Sequence, residues 1–280
     1  MDHPIEFEST VEKLDYCDTK YPVILVSGLG FQDNISVTDY WGKNPDFLKA
    51  HGCEVYTAYQ DAFNSHVDNA IKLKYRILEI LEKSDKDKVN IIGHSKGGIE
   101  ARYLISKLGF GDKVASLTTL GSPHRGSGIA DIVLGRIPLP KFVIARLVNI
   151  YGRLLGDKKP DSMRAAVQLT KLSMENFNLD VPDIEGVYYQ SYAAHVTREY
   201  PSIMWRTLAR ILHNIDGNND GLVSIDSAKW GNYRGVIHTP ECPSISHADI
   251  VNLQQFSIVK EFKAHWFFAH IIHDLKNRGL

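Results

Sequence analysis

The sequence predicts an α/β fold, a mostly parallel central sheet with helices on both faces. Two continuous apolar runs rich in β-branched residues, YPVILV at 21–26 and VNII at 89–92, read as strands buried on both sides. Between them, residues 67–83 place Val67, Ala70, Leu73, Ile77 and Leu81 on one face of a helix. The run VASLTTL at 114–120 then continues the alternation. Strands alternating with helices build a parallel sheet with helices on both its faces.

The remaining elements follow in order. GCEVYTA at 52–58 reads as a strand, residues 99–104 as the start of a helix, and VYYQSYAAHV at 187–196 as a further strand. Residues 207–213 read as a helix leading into the polar turn NIDGNNDG at 214–221. Val236-Ile237 is a short last strand, followed by a proline-containing loop and a helix from His247 to about Phe256. In the C-terminal segment HWFFAHIIHDLKN, Phe268, Ile271, Ile272 and Leu275 recur at helical spacing. That spacing favours a packing helix over a metal-binding role for His265, His270 and His273.

Composition narrows the function classes. The 280 residues are 44% hydrophobic and 23% charged, with a formal net charge of -1, which excludes a broad polyanion-binding surface and with it nucleic acid as a partner. No apolar run is long enough to cross a membrane. The acidic first twenty residues show no secretory signal, so compartment stays open. Three scattered cysteines, Cys17, Cys53 and Cys242, supply neither a disulfide framework nor a zinc site.

One stretch carries chemistry. Gly93-His94-Ser95-Lys96-Gly97 fits G-x-S-x-G, set between a predicted strand and a predicted helix. In that setting the serine sits on a strained turn with its hydroxyl lifted above the sheet, and the glycines leave space that Cβ atoms would fill. A serine nucleophile needs a base, and the base needs an orienting carboxylate, in the chain order Ser, acid, His. His247 and His238 both follow the last strand by a loop, and His247 better suits a base that swings over the sheet. Asp220 lies in the Asn-Asn-Asp-Gly turn, with Asp216 as the alternative acid. The oxyanion donors fall on the backbone N–H of Lys96, directly after the nucleophile, and of Leu29, in the loop after the first strand. The Lys96 side chain is expected to point outward.

GHSKGG followed by VASLTTLGSPHRGSGIAD resembles the bacterial triacylglycerol lipases of the Pseudomonas, Burkholderia and Proteus type, over residues 21 to about 253. The resemblance implies a single α/β-hydrolase domain over 1–280. It also implies a helical lid insertion at about 127–175, where residues 129–156 are dense in large apolar side chains split by Pro138 and Pro140. That stretch reads either as buried core helices or as a mobile cover that opens onto lipid. The family's acid stands in the same NDGLV sequence and its histidine in a similar H-x-D element, which selects Asp220 and His247. Two departures stand out: Ser27-Gly28 replaces the family's His-Gly, and Lys96 stands where Gln or Met is common. The chemistry requires no cofactor. The family's structural calcium implies ligands at Asp249, two residues after the histidine, and near Glu199, where the family carries an aspartate. The expected activity is hydrolysis of long-chain acylglycerol esters at a lipid–water interface. A carboxylesterase or phospholipase is the alternative, and a non-catalytic binding protein a third reading.

Overall fold

The computed structural model describes residues 15–28, 40–58, 64–138, 140, 166–253 and 257–280. Six parallel strands pair in the order β2-β1-β3-β4-β5-β6. They are β1 (Val23–Val26), β2 (Val55–Ala58), β3 (Val89–His94), β4 (Val114–Leu120), β5 (Tyr188–Ala193) and β6 (Asn232–Val236). The described helices are α1 (Asn44–Ala50), α2 (His66–Ser84), α3 (Lys96–Lys107), α4 (Gly128–Val133), α5 (Lys171–Asp180), α6 (Ile203–Asp216), α7 (Ile225–Ala228) and α8 (Ala264–Asn277).

Strand alternation sorts the core into two layers. Ile24 and Val26 of β1 and Ile91 of β3 join Ala70, Leu73, Ile77 and Ile80 of α2 and Ala101, Leu104 and Ile105 of α3 on one face. Val23, Leu25 and Ile92 point to the opposite face, against Leu48 of α1 and Phe267, Phe268, Ile271, Ile272 and Leu275 of α8. The sheet is therefore covered on both sides, as its apolar runs require. The C-terminal helix is packed core, with Phe268, Ile271, Ile272 and Leu275 fully buried.

Two boundaries differ from the sequence reading. β6 begins earlier than Val236, because Asn232, Tyr233 and Arg234 are exposed or half-buried edge positions without an apolar signature. In place of the helix expected from His247 to about Phe256, the described residues there form a 3-10 turn, Asp249–Val251, which ends where Asn252 takes a left-handed conformation at φ 56°. The expected lid lies largely outside the described residues. Its two flanks pack onto the body: Ile129 and Ile132 of α4 enter the main core, and Met174 and Phe177 of α5 pack with Ile99 and Leu169.

Chain order explains where a site forms. From β1 the chain steps to β2 on one side, then crosses back to β3 on the other. The strand order reverses between β1 and β3, and the carboxyl ends of the strands at such a point are the usual ligand site of these sheets. Gly28 follows β1 at that point and Ser95 follows β3.

Candidate active site

Ser95 sits at φ 55° and ψ -127° between β3 and α3, a conformation few non-glycine residues adopt. Its neighbours make the turn possible. A Cβ at Gly93 would lie 2.7 Å from the Gly98 backbone, and one at Gly97 would lie 2.5 Å from the Ser27 carbonyl. Gly28 is packed as closely from the other side, since a Cβ there would meet Ser95 Cβ at 2.6 Å. The Lys96 N–H stands at the amino end of α3, where free amides and the helix dipole favour negative charge. Leu29, the other expected oxyanion donor, lies outside the described residues.

Asp220 and His247 meet. His247 Nδ1 lies 2.7 Å from Asp220 Oδ2, and the His247 N–H donates to the Asp220 carbonyl at 2.9 Å. Asp220 Oδ1 accepts from the N–H groups of Leu222 and Val223 at 2.9 and 2.8 Å, so the carboxylate is held by its own turn. Asn219 supports that turn by donating to the Ala209 and Gly217 carbonyls and accepting from Gly221 N–H. The Asp–His pair lies over Gly121, the first residue after β4. A Cβ on Gly121 would be 3.0 Å from Asp220 Oδ2 and 3.3 Å from His247 Nδ1. Leu120, one residue earlier, accepts from Ser95 N–H at 2.9 Å. The end of β4 thus joins the serine turn to the Asp–His pair. All three side chains are buried, Ser95 being 7% exposed, His247 6% and Asp220 1%.

The alternatives lie elsewhere. Asp216 accepts from Gly128 N–H and forms an ion pair with Lys171, so its carboxylate ties α6 to α4 and α5. His238 is half-buried just beyond β6, and the carboxylate of Asp220 is already engaged by His247.

The Lys96 side chain corrects the expectation of an outward lysine. It is 1% exposed, with Nζ donating to the Asn64 carbonyl at 2.6 Å and pairing with Glu100 Oε1 at 3.0 Å. Asn69 of α2 donates to the same Glu100 oxygen at 2.6 Å. The first turn of α3 faces α2 here, so a lysine one turn before Glu100 is drawn between the helices.

The residues expected to hold calcium do not fit it. Asp249 Oδ2 accepts from Tyr200 Oη at 2.5 Å and from the Ser246 N–H and hydroxyl at 2.9 and 2.7 Å. Its Oδ1 accepts from the Ser257 hydroxyl and Ile258 N–H at 2.8 and 3.2 Å. Proton donors thus occupy the lone pairs a hard cation would need. Glu199 is exposed, and its own backbone N–H, then the Thr197 hydroxyl, hold its carboxyl below the usual range. Among the described residues no group of three or more His, Cys, Asp or Glu is placed to hold a metal ion.

The GSPHRGS segment braces the site from behind. Arg102 of α3 donates to Asn178 Oδ1, the Val181 carbonyl and His124 Nδ1, and its guanidinium lies 3.5 Å from the Trp230 ring centre. Burial, then the Arg102 charge, holds His124 well below the ordinary histidine range. Arg125 donates to the Asp226 and Lys229 carbonyls, and Ser127 to that of Leu222, beside Asp220.

Known structures with this architecture define the class. The mature form of a Bacillus licheniformis lipase superposes with a TM-score of 0.64 at 22% identity, over 84% of this chain and 88% of that one. A Staphylococcus hyicus lipase gives 0.63 at 17% identity, over 96% and 99%. The fold is that of the α/β-hydrolases. In sequence, a Vibrio cholerae triacylglycerol lipase is 33% identical over 77% of this chain and 76% of its own length. A Burkholderia plantarii triacylglycerol lipase is 36% identical over 60% of this chain and 49% of its own, and triacylglycerol lipase 2 of Saccharomyces cerevisiae is 30% identical over 78% and 64%. The chain thus spans about half to two thirds of the length of several curated relatives. A family model for palmitoyl protein thioesterases matches residues 22–159. The chain belongs to the bacterial triacylglycerol lipase family.

Proposed function

We propose that this chain is a serine hydrolase that cleaves carboxylic esters, with acylglycerols at a lipid–water interface as its substrate class. The observation that carries the reading is the 2.7 Å contact between His247 Nδ1 and Asp220 Oδ2, held over Gly121 while the adjacent Leu120 carbonyl binds the Ser95 turn. Ser95 Oγ attacks the ester carbonyl as His247 Nε2 takes the hydroxyl proton. Asp220 keeps the imidazole proton on Nδ1 and stabilises the cation that forms. The Lys96 N–H, with a second donor expected at Leu29, stabilises the tetrahedral oxyanion. His247 returns the proton to the departing alcohol. Water, activated by the same imidazole, then releases the acid from the acyl-serine.

No cofactor takes part in these steps. Relatives named triacylglycerol lipase support the substrate class. The thioesterase family match favours a second reading, transfer of an acyl group from a thioester to the same serine.

The test is Ser95→Ala, measured on an emulsified triacylglycerol and on a soluble chromogenic ester. Loss of both activities, with fluorophosphonate labelling of wild type alone, supports the reading. Retained turnover rejects it, as does a wild-type protein that neither turns over nor takes the label. A rate that jumps when substrate forms droplets supports a lipase over a soluble esterase, and higher kcat/KM for a matched acyl thioester supports the second reading.

A further inference from the structure

We propose that Tyr40 and His94 are positioning residues that lock three separate pieces of the active site into one unit. The Gly28 N–H donates to Tyr40 Oη at 2.7 Å. Tyr40 Oη lies 2.7 Å from His94 Nδ1, and His94 Nε2 lies 3.1 Å from the backbone carbonyl of His247. The proton arrangement follows from chemistry. A carbonyl only accepts, so His94 carries its proton on Nε2 and donates it to His247. Nδ1 is then an acceptor, and the tyrosine hydroxyl donates to it. The tyrosine oxygen in turn accepts from Gly28. One chain of hydrogen bonds, polarised in one direction, runs from the end of β1 to the backbone of the base.

Each link touches a part of the site. Gly28 packs against Ser95 Cβ so closely that any side chain there would collide with it. His94 is the residue before Ser95, and its ring centre is 4.5 Å from that of His247. Tyr40 and His94 are 6% and 2% exposed, so water does not compete for these bonds. Burial, then the nearby His247 charge, holds His94 well below the ordinary histidine range, in keeping with the neutral ring that its two hydrogen bonds require. His94 therefore does not shuttle protons. It fixes the depth of His247 relative to Ser95 through the His247 carbonyl.

This inference rests on the Ser95–His247–Asp220 reading, and its test separates the two. Tyr40→Phe keeps the ring and removes the hydroxyl that bonds to Gly28 and His94. The expected result is a fall in kcat of about tenfold to a hundredfold, the range produced by small displacements of reacting groups, with KM within about twofold. The Gly28 N–H and His94 Nδ1 lose a buried partner, so the melting temperature should fall by several degrees while the protein stays folded at the assay temperature. His94→Gln retains an amide donor for the His247 carbonyl, whereas His94→Leu does not. The glutamine variant should recover about tenfold in kcat over the leucine variant at matched stability, a rescue that packing alone would not give. Should Tyr40→Phe fail to fold, the glutamine and leucine pair decides. A kcat within about twofold of wild type in folded Tyr40→Phe or His94→Leu overturns the proposal, as does a loss confined to KM. Ser95→Ala is assayed alongside. If it retains hydrolysis, the underlying site reading falls, whereas an inactive Ser95→Ala beside a fully active Tyr40→Phe removes only the positioning role.

Discussion

Replacing Asp220 with Asn tests the site most directly, because the structure dictates how the new side chain must sit. Asp220 Oδ1 accepts from two backbone amides, at Leu222 and Val223, while Oδ2 faces His247 Nδ1 at 2.7 Å. In the variant only the amide oxygen can satisfy Leu222 and Val223, so the amino group must face His247. An amino group donates, which forces the imidazole to accept at Nδ1 and to carry its proton on Nε2. A proton on Nε2 blocks that atom from taking the serine proton. Loss of the correct tautomer in such triads costs about 10⁴-fold in kcat, or roughly 5.5 kcal/mol of transition-state stabilisation. The two amide anchors survive, so stability should fall by only about 1–3 kcal/mol, the worth of one hydrogen bond to a charged group. Steady-state hydrolysis of a soluble ester gives kcat, and urea unfolding gives the stability. Asp216→Asn serves as the contrast: it breaks the tie to Lys171 and Gly128 and should cost stability while kcat stays within about twofold. An Asp220→Asn enzyme within tenfold of wild type would refute the assignment of the acid, as would a greater loss of kcat in Asp216→Asn.

Four further outcomes are expected. Burial holds His94 and His124 below the histidine pKa of the unfolded chain, so the unfolded state binds more protons as pH falls through about 6.5. Their stabilisation is complete above that pH and is lost below it, at up to about 1.4 kcal/mol per pH unit for each ring; urea midpoints between pH 7.5 and 5.5 should show the decline, and His124→Gln should reduce its slope. Glu100→Gln leaves the Lys96 ammonium buried without its counter-charge and should destabilise the fold by about 3–5 kcal/mol in urea, where an unchanged midpoint would contradict the buried pair. A chelator should leave the melting temperature where it was, while Asp249→Asn should lower stability by about 3 kcal/mol through the lost bonds from Tyr200 and Ser246; chelator-induced melting would restore the calcium expectation. Gly121→Ala places a methyl group 3.0 Å from Asp220 Oδ2 at φ +54° and should lower kcat about a hundredfold, whereas Gly109→Ala, at φ +67° with nothing near, should cost about 1 kcal/mol of strain and leave kcat unchanged.

What the sequence conveyed well were features in which one residue's neighbours state its environment. Val114–Leu120 is apolar enough to be a central strand in any context, and the helical spacing of Phe268, Ile271, Ile272 and Leu275 marks a buried face. The serine turn was legible for the same reason, since its glycines, its strand and its helix are contiguous. The direction of Lys96 was not, because a lysine at a helix start carries no local sign of what stands opposite. Glu100, which pairs with it, lies one turn further along the same helix, but the Asn64 carbonyl that also receives it stands 32 positions back, before α2. Asp249 misled in a related way. Its spacing from His247 matched a metal ligand of the family, but Tyr200, which caps the carboxylate, comes from a loop 49 positions away. Tyr40 gave no signal at all, since its partner His94 is 54 positions distant.

The bonds that join the pieces of the site bear on how the fold persists across distant relatives. These connections run largely through backbone atoms: Leu120 carbonyl to Ser95 N–H, Asp220 carbonyl to His247 N–H, and His247 carbonyl to His94. A backbone carbonyl is present whatever the side chain, so these links leave little trace in residue identity and survive extensive substitution. The Bacillus licheniformis lipase keeps the architecture at 22% identity, which is the behaviour expected of a frame tied by main-chain bonds. Side-chain identity is then demanded at few places: where a group reacts, where a Cβ must be absent, as at Gly28 and Gly121, and where a buried side chain must carry a bond across the site. Tyr40 and His94 belong to the last kind, and they are where a change of residue should be felt in the rate before it is felt in the fold.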